Sequence, residues 1–134
     1  VAAAGAGVIT SATAATEPLV RGGDVAPGAH VDLVGGFRPF MREADDALLA
    51  RATVVADGDP SKHQSGGHVY PLERGSIATT DVRLLADALV TGFVPDTRRD
   101  ATVFKSVGHA AEDLVAVELL LDRLGLEAGV SSSG

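Results

Sequence analysis

Short apolar runs in this chain alternate with stretches of helical spacing, and breaks rich in glycine and proline separate them. Residues 8–12 (Val-Ile-Thr-Ser-Ala) read as a strand whose polar edge lies at its carboxyl end. Residues 17–28 hold Pro18, Gly22, Gly23, Pro27 and Gly28 and read as loop. Residues 30–34 are nearly continuous in apolar character, which suits a strand in a sheet covered on both faces. Residues 42–52 follow as a helix with Leu48, Leu49 and Ala52 on its inner side. Glu43, Asp45 and Asp46 fall in its first turns, where the helix dipole favours negative charge. Residues 53–56 are a third strand, and 57–67 an exposed loop.

Thr79 or Thr80 caps an expected helix running to about residue 90, with Val82, Leu85 and Leu89 on one face and Gly92 ending it. Residues 102–106 form a last strand or extended segment. Residues 108–124 form the longest helix, in which Ala110, Leu114, Val117, Leu121 and Leu124 make an apolar side. Strands alternating with helices imply an α/β fold, a parallel sheet with right-handed crossovers. Ser131-Ser132-Ser133-Gly134 reads as a frayed tail.

Composition narrows the function. The chain has 134 residues, the size of one domain, and is 46% hydrophobic but only 4% aromatic, so its core is built from Ala, Val and Leu. A net charge of −7 argues against nucleic acid and against an anionic membrane surface. With no cysteine there is no disulfide frame, thiolate nucleophile or thiolate metal site, and the absence fits a cytosolic protein. No apolar run approaches the ~20 residues that span a bilayer.

Candidate chemistry gathers where strands end. In parallel sheets ligands sit beyond the carboxyl ends of the strands. Thr10, Ser11 and Ala12 lie at such an end, a position equally suited to an ordinary polar strand terminus. Gly35 and Gly36 close the second strand. They either let a flat ring approach the backbone or simply make the turn before Pro39. Asp32 stands mid-strand in an apolar run, which is costly unless its carboxylate is partnered. Lys105 reads as a solvated charge at a strand end, and Arg38 and Arg42 as surface partners of Asp45 or Asp46. His63 and His68 are five apart, on no common helix face, so no metal site is expected. Gly5-Ala6-Gly7 is no dinucleotide fingerprint, because Thr10 stands at the third glycine position and the pair precedes its strand.

The words VITSAT (8–13) with Glu17-Pro18, HVDLVGGFRPFMREADD (30–46), DDALLARA (45–52) running into VVAD, and TVFKSVG (102–108) with Glu112-Asp113-Leu114 occur in this order. Together they resemble the ornithine cyclodeaminase/mu-crystallin family. The wording is most similar to the branch that reduces 1-pyrroline-2-carboxylate and 1-piperideine-2-carboxylate. The resemblance implies the second half of a Rossmann-like NAD- or NADP-binding domain over 1–106. It further implies a helix over 107–126 returning to a substrate and dimerisation domain, with 127–134 as tail. The fingerprint turn and that other domain would lie upstream, making the chain a C-terminal piece of a homodimeric enzyme.

Carried over residue by residue, the resemblance assigns Thr10, Ser11, Ala12, His30, Val31, Asp32, Gly35 and Ser106 to the cofactor. It assigns Gly36, Phe37 and Val107 to a cyclic imino acid substrate. No catalytic residue is implied in this stretch. The cyclodeaminase branch has an aspartate where Phe37 stands, and some members a lysine where Met41 stands; a phenyl ring carries no proton. His68 likewise replaces an aspartate. The implied activity is hydride transfer from NAD(P)H to the C=N carbon, giving L-proline or L-pipecolate. Ornithine cyclodeamination, or non-catalytic binding of NADPH or a ketimine, are the alternatives.

Overall fold

The computed structural model describes residues 3–59 and 77–126. Five strands lie there: β1 (Val8–Ser11), β2 (His30–Leu33), β3 (Ala52–Ala56), β4 (Val82–Leu84) and β5 (Ala101–Lys105). All described pairings are parallel, in the order β1-β2-β5-β3-β4. Three α-helices accompany them: α1 (Asp46–Arg51), α2 (Leu85–Thr91) and α3 (Ala110–Leu124). The α/β reading holds.

The register aligns the strand ends. Ser11 pairs with Leu33, Leu33 with Lys105, Lys105 with Ala56 and Ala56 with Leu84. These are the last residues of the five strands, so every chain exit leaves from one rim. The walk along the sheet reverses direction. From β2 the chain passes over the slot of β5 to reach β3, and from β4 it returns to fill that slot. Right-handed crossovers in opposite directions place their helices on opposite faces. Leu48 and Leu49 of α1 pack with Val31, Leu33, Val54 and Val103 on one face, together with Val20, Val25 and Ala29. On the other face Leu85 and Ala88 of α2 border a groove of about 470 Å³ with His30, Val55, Thr102 and Phe104.

Several expectations change. The helix expected from Thr79 or Thr80 is a 3-10 turn (Thr79–Asp81), then β4, then α2 from Leu85. Val82 and Leu84 pair with Val54 and Ala56 of the wholly buried β3, and this long-range ladder overrides the local helical spacing. Leu89, expected on the inner face, is 77% exposed at the groove's edge. The first helix is shorter than expected, because Ala52 already belongs to β3. Its cap is Asp45, whose Oδ1 accepts from Leu48 N at 2.9 Å and from Gly22 N at 2.9 Å.

The sheet is not covered on both faces throughout. Val8 and Thr10 of β1 are exposed, and His30 and Asp32 of β2 are half-buried on that same side. Along α3 no described side chain is buried: Leu114, Val117, Leu120 and Leu124 are each more than half exposed. No described helix is long and apolar enough to cross a membrane. His63, His68, most of the expected 57–67 loop and the 127–134 tail lie outside the described residues.

Candidate active site at the carboxyl rim

Three exits meet at the centre of the rim. Val34 N donates to Ser11 O at 2.8 Å, Gly36 N to Thr13 O at 3.3 Å, and Ser106 N to Leu33 O at 3.0 Å. The segments after β1, β2 and β5 therefore lie side by side. Gly35 and Gly36 are both buried within them. At Gly35 a Cβ would stand 2.1 Å from Thr13 O and 2.5 Å from Glu43 Oε1, so only glycine fits. Gly36, at φ 73°, occupies the left-handed region that a side chain disfavours. The corner is thus dictated first by close packing against the β1 exit.

Three charged groups fix the exits. Glu43 is 2% exposed; its Oε1 accepts from Ser11 Oγ (2.7 Å), Thr13 N (2.7 Å) and Thr13 Oγ1 (2.9 Å). Lys105 is 3% exposed, and its Nζ donates to the carbonyls of Leu33 (3.2 Å), Gly35 (2.6 Å) and Ser106 (2.5 Å). Asp57, just past β3, accepts from Ser106 Oγ (2.8 Å), Val107 N (2.8 Å) and Gly108 N (3.3 Å). Burial alone would raise the Asp57 carboxyl, but these donated bonds outweigh it and hold the group below its ordinary 3.8. Burial pushes the Lys105 ammonium down, against the opposing pull of Glu43 and Asp57.

Sequence reasoning missed all three roles. Lys105 is no solvated charge. Ala101, Val103 and Lys105 alternate as the buried side of β5, and that period was visible in the sequence. Glu43 does not serve the helix dipole; it precedes α1 and turns inward. Arg42 does pair with Asp46, but it is buried and its Nε also donates to Ala44 O at 3.0 Å. Arg38 lies over the Phe37 ring, 5.8 Å from its centroid.

Of the residues singled out from sequence, Ser11, Ala12, Gly35, Gly36, Ser106 and Val107 converge on the rim. Thr10 and Asp32 pair one rung behind it on the open face. Phe37, 64% exposed, stands just beyond the glycine pair. Two do not belong to the gathering. His30 is three residues from the end of β2, about 10 Å away at strand rise, and its Nδ1 lies 2.8 Å from Thr102 Oγ1 beside the apolar groove. Val31 is fully buried in the core, one face away from Asp32.

Chemically the rim offers hydroxyls and backbone groups. Ser106 spends its proton on Asp57 and keeps oxygen lone pairs to accept an amide N–H. The nearest buried cation points inward. The rim therefore presents hydroxyls, backbone groups and the Asp57 carboxylate, while the Lys105 ammonium is spent on carbonyls of the strand exits.

The model of the ornithine cyclodeaminase/mu-crystallin family matches residues 1–127. The ketimine reductase mu-crystallin of Rattus norvegicus is 39% identical over 121 residues, which is 90% of this chain and 37% of that protein. The Delta(1)-pyrroline-2-carboxylate reductase of Paracoccus denitrificans is 42% identical over 119 residues, 82% of this chain and 36% of that protein. Among solved structures, the Thermococcus litoralis Delta(1)-pyrroline-2-carboxylate reductase in complex with NADH and L-proline superposes with a TM-score of 0.80. It is 28% identical over 96% of this chain and 42% of that one. The chain thus spans well under half the length of these relatives.

Proposed function

Because the chain belongs to the ornithine cyclodeaminase/mu-crystallin family, we propose that it forms the nicotinamide-side wall of an NAD(P)H-dependent reductase of cyclic imino acids. The observation that carries this reading is the single rim on which the β1, β2 and β5 exits lie in hydrogen-bonded contact. When bound, the dinucleotide supplies the hydride. Hydride goes to the C=N carbon and a proton to the nitrogen, which turns 1-pyrroline-2-carboxylate into L-proline or 1-piperideine-2-carboxylate into L-pipecolate.

The chain's own residues orient the ring. Gly35 and Gly36 leave backbone with no side chain at the corner, and Ser106, oriented by Asp57, accepts from the carboxamide. Ser11 and Ala12 border the ribose side, with Thr10 and Asp32 behind them. Phe37 and Val107 wall the substrate space. Neither Phe37 nor the ionised Asp57 donates a proton, so the proton comes from outside this rim. The lack of an acid at Phe37 disfavours cyclodeamination. The same feature favours, as second reading, a binder of NADPH or a ketimine without turnover. We read the protein as a cytoplasmic homodimer.

The test uses the protein that carries this chain, mixed with NADH or NADPH and 1-pyrroline-2-carboxylate. Decay of nicotinamide absorbance with formation of L-proline supports the reductase, and Ser106→Ala should raise KM for the dinucleotide about tenfold. Ammonia release from L-ornithine would replace the reductase by a cyclodeaminase. Tight dinucleotide binding without turnover would support the binder.

A further inference from the structure

Glu43 and Lys105 are opposite charges buried beneath the glycine corner. Both line one small space with Leu33, Gly35, Gly36, Ala44 and Leu49. Each gathers three partners, and the two sets do not overlap. Glu43 Oε1 takes every one of its three donors from the β1 exit, at Ser11 and Thr13. Lys105 Nζ uses its three protons on carbonyls of the β2 exit (Leu33, Gly35) and the β5 exit (Ser106). Glu43 Oε2 is buried with no hydrogen-bond partner among the described residues. A carboxylate left half unpaired in the core is costly. It is retained here in the same small space as an ammonium. Removing either charge takes compensating charge from the other, Lys105 keeping only the pull of Asp57 when Glu43 is lost.

We propose that Glu43 and Lys105 act as a coupled pair of positioning residues, setting the spacing of the three exits against which the nicotinamide ring stacks. The proposal rests on the dinucleotide reading of the rim. Neither side chain touches the ligand, so neither is a catalytic residue. Both act through Ser11, Gly35 and Ser106.

The experiment measures NADH affinity in the protein that carries this chain, for Glu43→Gln, Lys105→Met and the double variant. ADP-ribose, the dinucleotide without its nicotinamide, is the second probe. Each single change should weaken NADH about tenfold while ADP-ribose binding stays within about twofold. The double variant should be no weaker than the worse single one, because the second removal relieves a charge left undercompensated. Glu43→Gln keeps an acceptor oxygen for Ser11 and Thr13, so it serves alone if Lys105→Met fails to fold. Equal weakening of both probes would show a general structural role and overturn the proposal, as would unchanged NADH affinity or independent, multiplying effects. If the unsubstituted protein binds ADP-ribose but not NADH, or neither, the dinucleotide reading falls and the positioning pair with it. That result is distinct from intact binding that ignores the substitutions.

Discussion

Replacing Gly35 by alanine puts a methyl group where the structure has no room. The Cβ would lie 2.1 Å from Thr13 O, 2.5 Å from Thr13 N and 2.5 Å from Glu43 Oε1. Two of these three atoms are backbone, so rotating a flexible side chain gives no relief. The exit of β1 must retreat by about an ångström, which parts Thr13 N from the Glu43 carboxylate it now meets at 2.7 Å. Overpacking of a filled interior costs about 1–3 kcal/mol, and losing a hydrogen bond to a buried charged group costs about 1.5–3 kcal/mol. The sum is about 2.5–6 kcal/mol, a large share of the roughly 5–15 kcal/mol that holds a domain together. Urea denaturation should show this as a lower midpoint with an unchanged slope. Gly23→Ala is the internal control, since nothing lies within 4 Å of its Cβ, and it should stay within about 0.5 kcal/mol. A Gly35→Ala loss below about 1 kcal/mol, or one equal to that of Gly23→Ala, would refute the close-packed corner.

Asp57→Asn tests the pH dependence of the rim. The folded carboxyl lies below its ordinary 3.8, so its contribution is fully present above that value and is lost as pH falls through the folded one. The stability gap between parent and variant should therefore be open at neutral pH and close in acid; a gap that widens in acid would contradict the assignment. Asp45→Ala removes the acceptor for Leu48 N and Gly22 N and should cost about 1–2 kcal/mol in the same denaturation assay. The exposed apolar side chains of α3 should make the isolated chain self-associate. Leu120→Lys with Leu124→Lys should shift its sedimentation toward monomer, and no shift would mean that α3 is not the sticky surface.

Much of this architecture was legible because several rules agreed. Apolar runs at 8–12 and 30–34, a glycine corner and a capped helix all pointed to parallel β-α units, and the register then brought their ends to one rim. Where reasoning from sequence failed, long-range pairing decided the outcome. Val82-Arg83-Leu84 looked helical beside Leu85 and Leu89, yet β3 recruited it as a strand. Charged residues were the harder class. Solvation is the ordinary fate of a lysine or glutamate, and only knowledge of which backbone carbonyls and hydroxyls converge on Lys105 and Glu43 reverses that expectation. His30 fell in the same word as the glycine pair, but a strand carries its first and last residues about 10 Å apart. Adjacency in sequence therefore did not bring it to the rim.

The most direct test of the rim as the nicotinamide site is a titration of NADH into the ¹⁵N-labelled chain, following backbone amide shifts. The account predicts saturable shifts at Ser11, Ala12, Gly35, Gly36, Ser106 and Val107, with those at Gly35, Gly36, Ser106 and Val107 lost when ADP-ribose replaces NADH. Shifts confined to His30, Thr102 and Phe104 around the apolar groove, or identical responses to the two ligands, would contradict it.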